Sequence, residues 1–233
     1  MQLRSILLAC LLTMGACSRQ EAATPPAPAP APAPAAVPAT TAAPAPDAAG
    51  PLTPELAARL ERKHSPVLGP KSAPVTMVEF LDPACGACAA YSPVVKQIQL
   101  LYPTEVRVVV RYATFHRGSD QAVRLLEAAR RQGKFEPVLD ALFERQAEWA
   151  SPEAPNIPRI GQIATELGVN IEQARRDAAL PAVTEVIRQD AEDLIALKVD
   201  RTPTFFVNGK PLVDFGAKQL LDLVREEVAR AKG

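Results

Sequence analysis

Two cysteines, Cys85 and Cys88, stand two residues apart in the stretch EFLDPACGACAA, residues 79–90. A C-x-x-C pair can hold a metal, close a redox disulfide, or have neither role. The cysteine inventory narrows the choice. The chain has four cysteines, and Cys10 and Cys17 fall in an N-terminal segment that reads as a signal. A disulfide framework needs more cysteines, spaced to join distant segments. An exported chain that keeps one close pair points instead to redox use. Zinc wants four ligands, and only His64 and His116 are left to supply two, with no metal-type spacing between them. A Cu(I) carrier, which favours soft thiolates, stays open. So does a redox-inactive interaction module.

The elements around the pair must position it. Val75–Leu81 (VTMVEFL) is apolar and rich in β-branched residues, which predicts a buried strand. Asp82-Pro83 breaks it. From Cys85 to Leu101 the spacing is helical, with Val94, Ile98 and Leu101 at i, i+4 and i+7. Cys85 then falls at the first helical turn, where unpaired backbone N–H groups and the helix dipole favour a thiolate. Cys88 falls one turn further in and more buried. A nucleophile and a resolving thiol need that arrangement. Pro93 lies inside this helix and is expected to kink it. Glu79 interrupts the strand on the face of Val75, Met77 and Leu81. If both faces are covered, it is a buried carboxylate that could carry protons for Cys88. The alternative is a partly exposed strand glutamate in an ion pair.

The rest of the chain supplies a frame. Thr53 reads as an N-cap, with Pro54 first in a short helix running to His64. Val106–Tyr112 reads as a buried strand. Helices are predicted over 119–132, capped by Ser119, and over 135–149, then near 157–167, 171–179 and 182–197. Thr204–Val207 and Pro211–Val213 flank Asn208-Gly209 as a hairpin, and a last helix covers 217–231. The result is one α/β domain, residues 52–233, with an all-helical insertion at about 117–198. Phe143 and Trp149 read as core and His116 as a hydrogen-bonded loop residue. Arg130-Arg131 and the acidic run Asp190–Asp193 read as solvated helix faces.

The N-terminus reads as an address. Arg4 precedes an apolar stretch from Ser5 to Met14, too short to span a membrane. It ends in Met14-Gly15-Ala16-Cys17, which resembles a bacterial lipobox. That resemblance implies a signal peptide over 1–16, lipidation of Cys17, and, with Ser18 following, the outer membrane. Residues 17–51 are mostly alanine and proline and cannot bury a core. They predict a disordered tether able to hold the domain on the order of 90 Å from an anchor. The chain carries no formal net charge, and 5% of its residues are aromatic. That composition gives no reason to expect a nucleic-acid partner.

The stretches SPVLGPKSAPVTMVEFLDPACGACAAYSP, VRVVVRYATFHRGSDQAVRLLEAARRQGKFEPVLDALFERQAEW and RTPTFFVNGK occur in that order. Together they resemble the DsbA-like thiol:disulfide oxidoreductases of bacterial envelopes, over residues 65–233. The resemblance implies a thioredoxin-like fold with the helical insertion between the second strand and a cis-proline hairpin. It implies no cofactor and no metal. It makes Cys85 and Cys88 the redox pair and Glu79 the buried acid. Pro203 becomes a cis-proline opposite the cysteines, and the Thr202 backbone a docking edge for substrate. The implied partners are cysteine-containing exported proteins and a membrane redox partner. Gly86-Ala87 departs from the proline-histidine dipeptide of strongly oxidising members, so oxidase, isomerase and reductase directions all stand open.

Overall fold

The computed structural model describes residues 53–233. The expectations for the signal peptide, Cys17 and the tether lie outside the described residues. Thr53 caps the first helix, α1 (Pro54–Leu60), by accepting from the Leu56 N–H, and Pro54 opens it. The chain then forms β1 (Val67–Leu68), β2 (Val75–Leu81), α2 (Gly86–Leu101) and β3 (Val106–Tyr112). The helical insertion follows: α3 (Ser119–Arg131), α4 (Phe135–Glu144), a 3₁₀ turn (Gln146–Glu148), α5 (Ile157–Glu166), α6 (Ile171–Ala178) and α7 (Pro181–Ala196). A hairpin of β4 (Thr204–Val207) and β5 (Lys210–Pro211) leads into α8 (Ala217–Lys232).

The five strands run in the order β1-β3-β2-β4-β5. β2 and β3 are parallel, with Glu79 beside Val110 and Phe80 beside Arg111, and the other pairs are antiparallel. Alternation along the two central strands divides the core. Val75, Met77 and Val108 pack with Val95, Ile98, Leu220 and Val224 of α2 and α8. Val78, Phe80 and Val109 face the other way, onto Leu194 of α7 and Leu197 just beyond its end. A third cluster joins Cys85 and Cys88 to Tyr112 and to Leu126, Leu142, Phe143 and Trp149 of the insertion. The cysteine turn and the insertion therefore share one core.

Several local expectations are corrected. Gly118, with φ +86, is the N-cap of α3 rather than Ser119. A Cβ at 118 would meet Pro155 at 2.9 Å, so both the backbone and the space call for glycine. The apolar stripe of α2 is Cys88, Val95 and Ile98, and Leu101 is half exposed; the face is set by the buried cysteine. The helix expected over 135–149 breaks at Arg145, because Trp149 folds back to bury its ring and donate its indole N–H to the Leu142 carbonyl at 2.9 Å. The second hairpin strand is Lys210–Pro211 rather than Pro211–Val213, with the Leu212 N–H still reaching the Phe205 carbonyl at 2.9 Å. Asn208 and Gly209 both take positive φ, as a tight hairpin turn requires.

The largest correction concerns the acidic run. Asp190 and Asp193 are buried, not solvated. Spaced three apart, they lie on the face of α7 that meets Arg111 of β3, itself fully buried. Arg111 Nη2 lies 2.7 Å from Asp190 and 2.8 Å from Asp193. Arg59 and Arg62 add further ion pairs to Asp193 at 2.8 and 2.7 Å, and His64 meets Asp190 at 2.7 Å. Arg111 also donates to the Arg59 and Leu60 carbonyls. This network ties α1 and α7 to the sheet. Arg130 is likewise not free in solvent but pairs with buried Glu127.

Candidate active site

The site forms where β2 ends. Cys85 is the N-cap of α2, and Cys88 lies within its first turn. Both are free thiols. Their environments differ. The Cys85 thiol is pulled down to about 5, first by its hydrogen bond with the Cys88 thiol and further by Thr202 and the N–H groups of Cys88 and Ala87, with burial opposing. The Cys88 thiol is pushed up, first by burial, then by its bond to Cys85 and by the charges of Cys85 and Glu79. The Asp82 N–H points at the Cys88 sulfur at 3.4 Å.

Opposite the pair, the Thr202–Pro203 peptide bond is cis. The Cys85 thiol lies 3.4 Å from the Thr202 carbonyl, to which it donates. The Thr202 hydroxyl is buried without a hydrogen-bond partner in this arrangement; ionisation of Cys85 would offer it an acceptor.

Glu79 is 4% exposed, on the face of β2 that also carries Met77 and Leu81. Burial lifts its carboxyl to about 8, and no ion pair or hydrogen bond among the described residues offsets that burial. It is near enough for its charge to push up the Cys88 thiol. A cavity of about 20 Å³, lined by Glu79, Ser92, Lys96, Gln99 and Asp140 among others, adjoins it. That is room for about one water. The structure thus brings Cys85, Cys88, Glu79, Thr202 and Pro203 into one neighbourhood, whereas Cys17 lies outside the described residues. Among the described residues no group of three or more His, Cys, Asp or Glu side chains is placed to hold a metal ion.

One residue of the site went unread in the sequence. Asp82, read only as a strand breaker, is fully buried at the base of the cysteine turn. Its Oδ1 accepts from the Ala84 N–H at 2.8 Å and from the Ser119 hydroxyl. Its Oδ2 accepts from the backbone N–H groups of Phe115 at 2.8 Å and His116 at 2.9 Å, and lies 2.8 Å from His116 Nδ1. The aspartate therefore bolts the cysteine turn to the loop after β3. The signal was present, since Asp-Pro-x after a strand favours a side chain that caps the backbone two residues on. His116 is a hydrogen-bonded loop residue, as expected.

The profile of the thioredoxin family matches residues 61–224. The chain belongs to that family. A solved thioredoxin-like oxidoreductase from Silicibacter pomeroyi DSS-3 is 32% identical, with a TM-score of 0.63, and the alignment covers 75% of this chain and 96% of that one. The solved α-DsbA1 of Wolbachia pipientis shares the fold at 15% identity and a TM-score of 0.67, over 74% of this chain and 95% of that one. The first of these is described as a thioredoxin-like oxidoreductase, and the second shows the fold. A protein of Herminiimonas arsenicoxydans named as the Na(+)/H(+) antiporter NhaA is 34% identical over 146 residues, 63% of this chain. The match takes in only 22% of that protein's length. Among the described residues no helix is long and apolar enough to cross a membrane.

Proposed function

We propose that this protein exchanges disulfides with exported, cysteine-containing proteins through the pair Cys85-Gly86-Ala87-Cys88. The observation that carries the reading is the division between the two sulfurs: Cys85 caps α2, where its thiol is pulled down to about 5, while Cys88 is fully buried and its thiol is pushed up. In the reducing direction, the Cys85 thiolate attacks a substrate disulfide, forming a mixed disulfide and releasing one substrate thiolate. Cys88 then gives up its proton, attacks the Cys85 sulfur and releases the second substrate thiolate, leaving Cys85–Cys88 oxidised. In the oxidising direction the same steps reverse, and the thiolate of a reduced substrate attacks the Cys85 sulfur. Glu79 takes or returns the Cys88 proton, and the Thr202 backbone beside Pro203 receives the substrate strand.

The low Cys85 value stabilises the reduced form and so favours giving the disulfide away. A Cu(I) carrier would need both sulfurs as thiolates, and burial opposes that at Cys88. Alkylation of the reduced protein over a pH series should show one fast thiol, Cys85, titrating near pH 5. The reduction potential should lie above about −200 mV, on the oxidising side of the glutaredoxins. Faster alkylation of Cys88, or no thiol faster than free cysteine, overturns the assignment. The site of action we propose is the periplasmic side of the bacterial envelope, on a lipid anchor at Cys17 in the outer membrane, with residues 17–51 as tether and an unidentified membrane protein as redox partner. Cys17→Ser should move the protein to the soluble envelope fraction with its redox activity intact, and unchanged membrane fractionation would refute the anchor.

A further inference from the structure

We propose that Gln146 is a positioning residue for the redox pair: its carboxamide ties the helical insertion to the Cys85 turn and fixes the N-terminus of α2 against the Cys85 sulfur. Gln146 opens the 3₁₀ turn that interrupts the expected long helix. Its Nε2 donates to two carbonyls of the catalytic turn, that of Pro83 at 2.9 Å and that of Cys85 at 3.0 Å. Both partners are carbonyl oxygens, so only the amide nitrogen can face them, and the orientation of the amide follows from chemistry. The two carbonyls flank Ala84, and one side chain thereby closes the turn from outside while Asp82 closes it from beneath.

The anchorage of Gln146 is itself rigid. The Trp149 and Ala150 N–H groups both donate to the Gln146 carbonyl, at 3.1 and 2.8 Å. Trp149 is buried in the core cluster that also contains Cys85 and Cys88. A chain of fixed contacts thus runs from the Trp149 ring through the 3₁₀ turn to the Cys85 peptide. Donation to the Cys85 carbonyl also polarises the Cys85–Gly86 peptide, whose N–H is one of the free donors at the helix N-terminus. The approach does not depend on glycine at 86, since a Cβ there would meet Gln146 Oε1 at 3.9 Å, an ordinary contact.

The inference rests on Cys85 as the attacking thiolate, and the test separates the two. The purified, reduced full-length protein is compared with Gln146→Met, which keeps the shape and loses the donors, and with Gln146→Glu, which turns an acceptor toward two carbonyls. The measurements are the pH dependence of Cys85 alkylation and the thermal unfolding midpoint. Loss of two neutral hydrogen bonds sets the scale, a fall of about threefold to tenfold in alkylation rate below the wild-type midpoint, with that midpoint moved to higher pH. Gln146→Glu should show the larger fall. If wild type has no fast Cys85, the underlying reading fails. If wild type has one and each folded variant reproduces its pH profile, Gln146 has no positioning role, even where the unfolding midpoint drops. Failure of both variants to fold also overturns the inference, because a half-exposed positioning residue is dispensable for folding.

Discussion

Glu79 and Asp193 are both buried carboxylates packed against the same two central strands, yet their protons are held at opposite ends of the scale. Glu79 faces α2 and the cysteines, pairs with no cation among the described residues, and is lifted by burial to about 8. Asp193 packs on the other side, where burial is outweighed by Arg62, Arg111 and Arg59, which hold it down at about 2. The strand register keeps the two apart. Glu79 pairs with Val110, and Arg111, the next residue, points to the opposite face. A one-residue offset therefore decides which carboxylate is neutralised by a guanidinium and which is left to titrate near neutral pH. The compensated carboxylate is structural, since Asp193 is held far below the working range. The uncompensated one costs stability and is free to exchange a proton.

The contrast is broken most severely at Arg111. Arg111→Met leaves Asp190 and Asp193 buried with fewer partners and should cost about 3–5 kcal/mol, measured by denaturant unfolding at pH 7. Cys85 alkylation in the folded fraction should stay at the wild-type rate. Loss of redox rate without loss of stability would show the two centres to be coupled. The same network gives an acid signature in the wild type. The folded value of Asp193 lies below its ordinary 3.8, so its contribution is present above about pH 4 and is lost as pH falls toward 2, a change of about 2 kcal/mol.

Glu79→Gln sharpens the contrast with the opposite sign. A carboxyl raised from 4.5 to about 8 binds its proton more tightly in the folded state. Wild-type stability should therefore fall as pH rises from about 4.5 to 8, and Gln, which cannot ionise, should remove that fall. At pH 8 the variant is expected to be more stable by about 3 kcal/mol, allowing for relaxation around the buried charge. Resolution of mixed disulfides should slow near neutral pH while the first attack by Cys85 is kept. Parallel pH–stability curves for the two proteins would place the Glu79 proton elsewhere.

Asp82→Asn gives the smallest effect. Whichever way the amide lies, its NH₂ faces at least one backbone N–H, from Ala84 or from Phe115 and His116. The expected loss is about 1–3 kcal/mol in unfolding free energy. It should come with slower Cys85 alkylation, because Asp82 holds the cysteine turn, whereas Arg111→Met should leave that rate alone. An Asp82→Asn variant that alkylates normally would reduce the residue to a loop tie.

Much of the frame was legible because local rules set it. The strand Val75–Leu81, the breaker Asp82-Pro83 and the helix after Cys85 follow from apolar patterning, and the pair's spacing placed Cys85 at the helix start. Asn208-Gly209 marked the hairpin for the same reason. The sequence by itself determined the order of elements, the close spacing of the two cysteines and the strand face that Glu79 shares with Val75, Met77 and Leu81, while leaving open whether that face is covered. It could not show that Asp190 and Asp193 are buried, because a D-x-x-D spacing on a helix is equally at home in water; only the packing of α7 onto Arg111 decides that. Nor could it show the reach of Gln146, which stands 61 residues from the Cys85 carbonyl it meets. Periodicity reports which face a residue takes on its own element. Which distant group stands across from that face, and so whether a buried charge is paired or left to titrate, is fixed only when the elements are packed together.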